Sequence, residues 1–353
     1  MFKMDSILML KELTGAFGAP GFEEDVIEVA KKYIKPCYNT SRDSLLNFYI
    51  EKEKKDNQPV VLLDAHSDEI GLMVQAVKSD GTLVFIPLGA WVPAALYAHK
   101  VLIRNQDGDF ITGVIASNMA HFGGDKEPSK GIEQMTIDVG AASKEEVIEK
   151  YKIVPGCPIV PKSEFEQIGS KMIAKAFDDR IGCAVVLETL DKVSDTNLNV
   201  NIVGALTSQE EIGIRGAKVA ANRVQPDVAI CFEGAPADDT LVAPHLIQTA
   251  LGKGPMLRII DQSMVVNPRF HKFVVELAKK FDIPLQQAVR TRGGTNGGAY
   301  HLSQLGVPTI VIACPVRYAH SHNSITSVKD YENTVALTVE VVKALNEEII
   351  KGF

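Results

Sequence analysis

Four short apolar runs, at residues 59–65, 200–206, 227–232 and 307–314, constrain this chain more than any other feature. They are rich in Val, Ile and Leu on both alternating faces, so each reads as a strand covered above and below. Helical patterns follow or precede them, at about 179–193, 215–224, 267–281 and from Ser327 nearly to Lys351. Asn267-Pro268 supplies an N-cap and a proline at the first helical position. Two further helical patterns, 5–14 and 22–34, are separated by a breaker that contains Gly18 and Pro20. Buried strands alternating with helices predict an α/β fold, with a mostly parallel sheet sandwiched by helices.

At 353 residues the chain exceeds the size at which a single core stops growing, so two domains are expected. The texture changes between about 73 and 168. Short β-branched runs alternate there with turns, among them Ser79-Asp80-Gly81 and Gln106-Asp107-Gly108, each an Asp-Gly hairpin signal. Ser143 and Glu146 make a capping box for one short helix. Residues 73–168 therefore read as a small, all-β, barrel-like insert. Residues 1–72 and 169–353 would form one discontinuous domain around it.

A net charge of −7 disfavours nucleic acid and anionic membranes as partners. Five scattered cysteines without a C-x-x-C pair, no uninterrupted run of 18 apolar residues and no N-terminal h-region predict a cytoplasmic protein.

Chemistry is expected beyond the carboxyl ends of the parallel strands. His66-Ser67-Asp68 follows the first run, Gln209-Glu210-Glu211 the second, and Glu233 the third. Arg317-Tyr318-Ala319-His320-Ser321-His322 lies past the fourth, and Asp178-Asp179 heads a helix. Taken singly these are a core histidine, solvated loop charges and helix N-terminal acids. Adjacent like charges such as Glu210-Glu211 oppose each other's ionisation, and a cation between such groups removes the conflict. Two histidines and several carboxylates give mixed nitrogen and oxygen ligation suited to zinc, cobalt or manganese, with enough ligands for two ions sharing a carboxylate.

His66-Ser67-Asp68-Glu69-Ile70-Gly71, Phe177-Asp178-Asp179-Arg180, Ser208-Gln209-Glu210-Glu211-Ile212-Gly213 and Arg317-Tyr318-Ala319-His320-Ser321 resemble the four signature blocks of the glutamyl-aminopeptidase/tetrahedral-aminopeptidase family. The resemblance spans essentially the whole chain. It implies a zinc-exopeptidase-like fold and a metal-dependent aminopeptidase holding two divalent ions. Asp178 would bridge them, with His66 and Glu233 completing one site and Glu211 and His320 the other. Glu210 would be the general base for a water activated between the ions, and Asp68 would steady the His66 imidazole. The insert would be a dimerisation domain, and members of the family assemble into hollow dodecamers. Two positions depart from the family pattern: Glu233 stands where Asp is usual, and Gly293-Gly294-Thr295-Asn296 stands for Gly-Gly-Thr-Asp. Arg292, Gly294, Thr295, Asn296 and, across a dimer interface, His121 are the candidate substrate-pocket residues.

Three other readings compete. A deacylase or carboxypeptidase would use the same ligands but would hold a substrate carboxylate, through Arg292 or Arg317. A non-catalytic assembly protein would have no reason to retain metal. Glycoside hydrolysis, a label some relatives have carried, needs two facing carboxylates and leaves His66 and His320 without a purpose.

Overall fold

The computed structural model describes residues 4–117 and 131–353. Helices α1 (Ser6–Gly15) and α2 (Glu24–Lys31) precede strands β1 (Asn39–Arg42), β2 (Phe48–Glu51) and β3 (Val60–His66). The insert contributes β4 (Gly71–Val77), β5 (Leu83–Leu88), β6 (Lys100–Arg104), β7 (Phe110–Ile115), β8 (Thr136–Asp138), α3 (Lys144–Glu149) and β9 (Pro158–Pro161). Then come β10 (Glu166–Ile168), β11 (Lys171–Ala174), α4 (Phe177–Val193), β12 (Asn201–Thr207), α5 (Arg215–Val224) and β13 (Val228–Pro236). The chain continues through β14 (Met256–Ile260), α6 (Pro268–Lys280), β15 (Gln286–Val289) and α7 (Gly297–Tyr300). It closes with β16 (Thr309–Val316), β17 (Ser324–Ser327), α8 (Val328–Ala344) and α9 (Glu347–Lys351).

The main sheet has eight strands in the order β1-β2-β12-β3-β13-β16-β14-β15. Its centre, β12-β3-β13-β16, is parallel. These four strands are the apolar runs of the sequence, and their side chains are buried on both faces, Val61, Leu62, Leu63 and Ala65 of β3 completely. Helix α4 packs centrally, with Ile181, Cys183, Ala184 and Val185 fully buried in the same core. The edges are antiparallel, through β2 on β12 and β14 on β16. Sequence periodicity does not reveal β1, whose Asn39-Thr40-Ser41-Arg42 has no apolar face; pairing with β2 alone makes it a strand. Caps fall where polar side chains allow. Asp5 accepts from the amides of Ile7 and Leu8, and Asn267 from those of Arg269 and Phe270.

The insert closes into a six-stranded barrel, β4-β5-β8-β7-β6-β9. Leu72, Val74, Leu83, Phe85, Ile103 and Ile137 fill its interior. Gly81 and Gly108 take positive φ values of 83° and 88° in the Asp-Gly turns joining β4 to β5 and β6 to β7. Ser143 caps α3 by accepting from the Glu146 amide, and Glu146 returns a bond to the amide of Ala142. Strand β10, assigned by texture to the insert, lies outside the barrel. It pairs with β11, and β11 pairs with β17 near the C-terminus. Gly169 in the turn takes a φ of 60°, which folds β11 back on β10. Arg104 of the barrel ion-pairs with Asp25 and lies 4.5 Å from the Phe17 ring, which ties the insert to the N-terminal helices. No helix among the described residues is long and apolar enough to cross a membrane.

Candidate metal centre

Strand β3 ends on His66, and its parallel neighbours bring the other candidates level with it. Register pairs Thr207 of β12 with His66, so the chain leaving β12 carries Glu210 and Glu211 over the end of β3. On the other side Cys231 of β13 pairs with Asp64, which places Glu233, two residues on, alongside His66. Asp178 enters from the head of α4, where Asp178 and Asp179 have left helical geometry and are joined by a cis peptide bond. His320 comes from the loop between β16 and β17, at a φ of 59°.

The five candidate ligands meet in two groups that share Asp178. His66, Asp178 and Glu233 each offer a ligand atom within 4.8 Å of the others, as do Asp178, Glu211 and His320. His66 Nε2 lies 3.2 Å from Asp178 Oδ1 and 3.9 Å from Glu233 Oε2. His320 Nε2 lies 3.3 Å from Asp178 Oδ2 and 3.5 Å from Glu211 Oε1. The two oxygens of Asp178 therefore face different groups. Glu210 stands at the edge of the first, its Oε2 4.0 Å from His66 Nε2.

Burial pushes the Glu211 and Glu233 carboxyls well above the ordinary carboxylate range, and Asp178 adds to both. Burial opposes ionisation of Asp178 too, but hydrogen bonds from His320 and His66 hold it well below that range. Burial disfavours a charge on His320, yet Glu211 and Asp178 push it up to about 10. Burial raises Glu210 to about 7, with His66 opposing and Asp68 and Asp178 adding. Glu211 Oε1 is buried without a hydrogen-bond partner, a costly state that a coordinated cation relieves. Two imidazoles, a carboxylate with an oxygen toward each group, and an orphaned carboxylate oxygen are a donor set that fits divalent cations.

Hydrogen bonds fix the imidazoles. His66 Nδ1 donates to the carbonyl of Asp68 at 3.1 Å, and His320 Nδ1 to the carbonyl of Ala90, just past β5 of the barrel, at 2.8 Å. Each Nε2 is thereby turned toward Asp178, to which it donates here, and its lone pair would serve a cation once that proton is lost. Asp68 thus supports His66 mainly through its backbone oxygen, with its carboxylate 3.5 Å from the same nitrogen. That carboxylate accepts from the amides of Glu210 and Glu211, both at 3.0 Å. His322 stays out of the cluster, stacked on His99 at 4.1 Å.

Gly234 makes room for the shared ligand. A Cβ there would sit 2.6 Å from the Phe177 carbonyl and 2.7 Å from Asp178 Cα, neither of which can rotate aside. Gly234→Ala is expected to displace Asp178 and lower metal affinity by about 10- to 100-fold. Metal titration followed by calorimetry checks this, and unchanged affinity would show the backbone there to be yielding.

A cavity of about 560 Å³ opens over the cluster. Its walls carry the apolar Ile214, Pro236 and Leu241, together with three arginines, Arg258, Arg290 and Arg292. Arg258 is buried, with Nη1 3.2 Å from Asp261 and Nε lacking a partner. Arg290 is held by Asp238 at 2.7 Å, and Arg292 has no ion-pair partner among the described residues. Gly294 lines this space as well. Thr295 and Asn296, expected beside them, are buried and do not line it. Asn296 instead donates to Asp64 at 2.7 Å, beneath β3, where Tyr300 and Thr207 also donate to that carboxylate. Burial raises Asp64 to about 6, and a neutral amide at 296 gives it a donor where an acid would add a second carboxylate. Arg317 does not reach the cavity either, because Asp239 holds it at 2.8 and 2.6 Å through two nitrogens. His121 lies outside the described residues.

Sequence reasoning missed Arg258, Arg290 and the supporting roles of Asp64, Asp179 and Ala90. Asp179 accepts from the amides of His66 and Gly182. Only the Asp-Asp pair carried a signal; Ala90 acts through its main chain, which no side-chain pattern reveals.

The model of the M42 glutamyl aminopeptidase family matches residues 47–337. Along its length the chain is 33% identical to the putative aminopeptidase FrvX of Escherichia coli K12, over 99% of this chain and 98% of that one. It is similar to the crystal structure of a TET aminopeptidase from the marine sediment archaeon Thaumarchaeota archaeon SCGC AB-539-E09, with a TM-score of 0.93, 36% identity and 98% of each chain covered. The TET1 peptidase of Pyrococcus horikoshii, described as able to assemble into a tetrahedron or a large octahedral shell, gives a TM-score of 0.87 at 28% identity, over 97% of this chain and all of that one.

Proposed function

Because the chain belongs to the M42 glutamyl aminopeptidase family, and is therefore a peptide hydrolase, we propose that it removes N-terminal residues from peptides at the Asp178-centred cluster, with two divalent cations as cofactors. The observation that carries this reading is one carboxylate, Asp178, shared by two complete ligand groups beside the uncommitted Glu210. His66, Asp178 and Glu233 would hold one cation, and Asp178, Glu211 and His320 the other. Such ions polarise a carbonyl and acidify water, and zinc, cobalt and manganese all suit these donors.

Glu210 takes the proton of the attacking water and passes it to the leaving amine. Burial of this carboxyl favours its taking up that proton before the proton passes to the more basic leaving amine. The amides of residues 210 and 211 are both held by the Asp68 carboxylate, which fixes the loop that carries the two side chains. Away from the cluster, the carboxylates near the cavity are engaged: Asp238 by Arg290, Asp261 by Arg258, Asp239 by Arg317. Arg292 has no ion-pair partner among the described residues, so the cavity favours an acidic N-terminal side chain over a basic one. The apolar Leu241 and Ile214 accommodate the stem. The relatives' assembly extends to this chain as a homo-oligomer, with the barrel as its dimerisation element.

The same Arg292 supports one rival reading, a two-metal hydrolase that grips a substrate carboxylate at the far end of a blocked peptide. One assay separates them: a panel of free-amine and N-acylated chromogenic substrates, with metal-stripped protein and zinc, cobalt or manganese restored. Hydrolysis of free-amine substrates, glutamyl and aspartyl above lysyl, is expected only after a metal is added. Cleavage confined to N-acylated substrates would establish the rival, and a lysyl preference would remove the role given to Arg292.

A further inference from the structure

The loop that carries Glu210 hangs from side chains. Four successive amides leaving β12 each donate to one: Ser208 to Asn47 at 2.9 Å, Gln209 to Glu23 at 3.1 Å, and Glu210 and Glu211 to Asp68 at 3.0 Å. Gln209 is the pivot. Its φ of 57° lies in the left-handed region that a residue with a side chain adopts at a cost, and the chain reverses there between the buried strand and the two glutamates. Glu23 holds the amide of this pivot. It stands at the head of α2, more than 180 residues away in sequence, and is 1% exposed.

The conventional task for an acid at that position is to cap its own helix, yet the Glu23 side chain makes no cap bond to α2. Its Oε1 accepts instead from Gly21 at 2.7 Å and from Gln209, while Oε2 is buried with no partner. A half-satisfied buried carboxyl is an expensive way to fill space. The frame behind it is rigid. Arg180, wholly buried, donates to the carbonyls of Leu13, Ala16 and Gly18, and Glu69 donates its amide to Gly18. The N-terminal segment is thereby locked to the same block that bears Asp68 and Asp178.

We propose that Glu23 is a positioning residue for the reaction, fixing the left-handed turn at Gln209 so that Glu210 points at the shared site. This rests on the reading of Glu210 as base. Glu23 acts as a hydrogen-bond acceptor and not as a charge. Burial, with Asp68 adding, raises its carboxyl to about 8, so it carries a proton at neutral pH and an amide oxygen can replace it.

The test compares Glu23→Met, which keeps the bulk and loses both acceptors, with Glu23→Gln, which keeps an acceptor oxygen. The assay uses the metal-loaded enzyme, with bound metal measured in each variant. Glu23→Met is expected to lower kcat by about 10- to 100-fold, with KM and metal content close to wild type. Glu23→Gln is expected to stay within about threefold of wild type, a rescue that loss of packing would not show. An unchanged kcat in Glu23→Met overturns the proposal, as does an equal loss in Glu23→Gln or a loss that follows metal content. If Glu23→Met does not fold, Glu23→Asp replaces it, since its carboxyl is withdrawn by one methylene from the Gln209 amide. A lower kcat with metal retained then supports the role, and an unchanged kcat overturns it. Glu210→Gln run in parallel separates the two layers. If it is inactive while Glu23→Met is normal, only the positioning role fails; if it is active, the base reading fails.

Discussion

Glu210→Gln is expected to lower kcat by about 10²- to 10⁴-fold, the range for losing a positioned acid–base group, while leaving bound metal unchanged. The geometry separates these outcomes. Glu210 is 4.0 Å from His66 Nε2 and belongs to neither ligand group, whereas Glu211, one residue on, is 3.5 Å from His320 Nε2. An amide at 210 preserves the size of the side chain and its backbone bond to Asp68. It cannot accept a proton from water at neutral pH. The corresponding measurement is steady-state kinetics on a free-amine substrate beside metal analysis of the same preparation. Near-wild-type turnover would remove Glu210 from the base role. A parallel loss of metal would instead make it a ligand.

Asp178→Ala is expected to abolish turnover and to weaken binding at both ligand groups together. Among the described residues no other has one oxygen in each: Oδ1 faces His66 at 3.2 Å and Oδ2 faces His320 at 3.3 Å. Removing a residue that merely supports a ligand costs about 10- to 100-fold in metal affinity, so removing a shared ligand should exceed that at each site. It would also leave Glu211 and Glu233 facing the histidines without the carboxylate that now pairs with both imidazoles. Metal titration of the variant should show both binding steps displaced to weaker affinity. One step kept at wild-type strength would mean that the carboxylate serves a single ion. The contrast with Glu211→Ala is instructive, because that residue belongs to one group and should perturb one step only.

Much of this was legible in the chain. The four apolar runs became the parallel centre of the sheet because a strand buried on both faces needs apolar residues along nearly its whole length. The Asp-Gly turns of the barrel were equally visible, since only particular residues accept the backbone they need. Less visible were β1, made a strand by its neighbour, and β10, whose allegiance depends on β11 and β17. At the site, residue types at strand ends pointed to His66, Glu211, Glu233 and His320. The substrate wall was harder. Thr295 and Asn296 sit beside Gly294 in sequence, yet both are buried, and Asn296 donates to the Asp64 side chain of β3. Arg258 and Arg290 reach the cavity from β14 and the end of β15, strands whose sequences carry no mark of it.

The sequence by itself determined the sheet and the inventory of candidate ligands, because burial and alternation are local demands written residue by residue. Tertiary structure alone decided which oxygen faces which nitrogen. Asp178 reaches both groups where Gly234 lets its backbone approach β13, and the loop of Glu210 and Glu211 is held by Asp68 and Glu23 from distant segments. Those constraints are contacts between remote parts of the chain, set to within an ångström. Spacing along a sequence carries no information at that resolution.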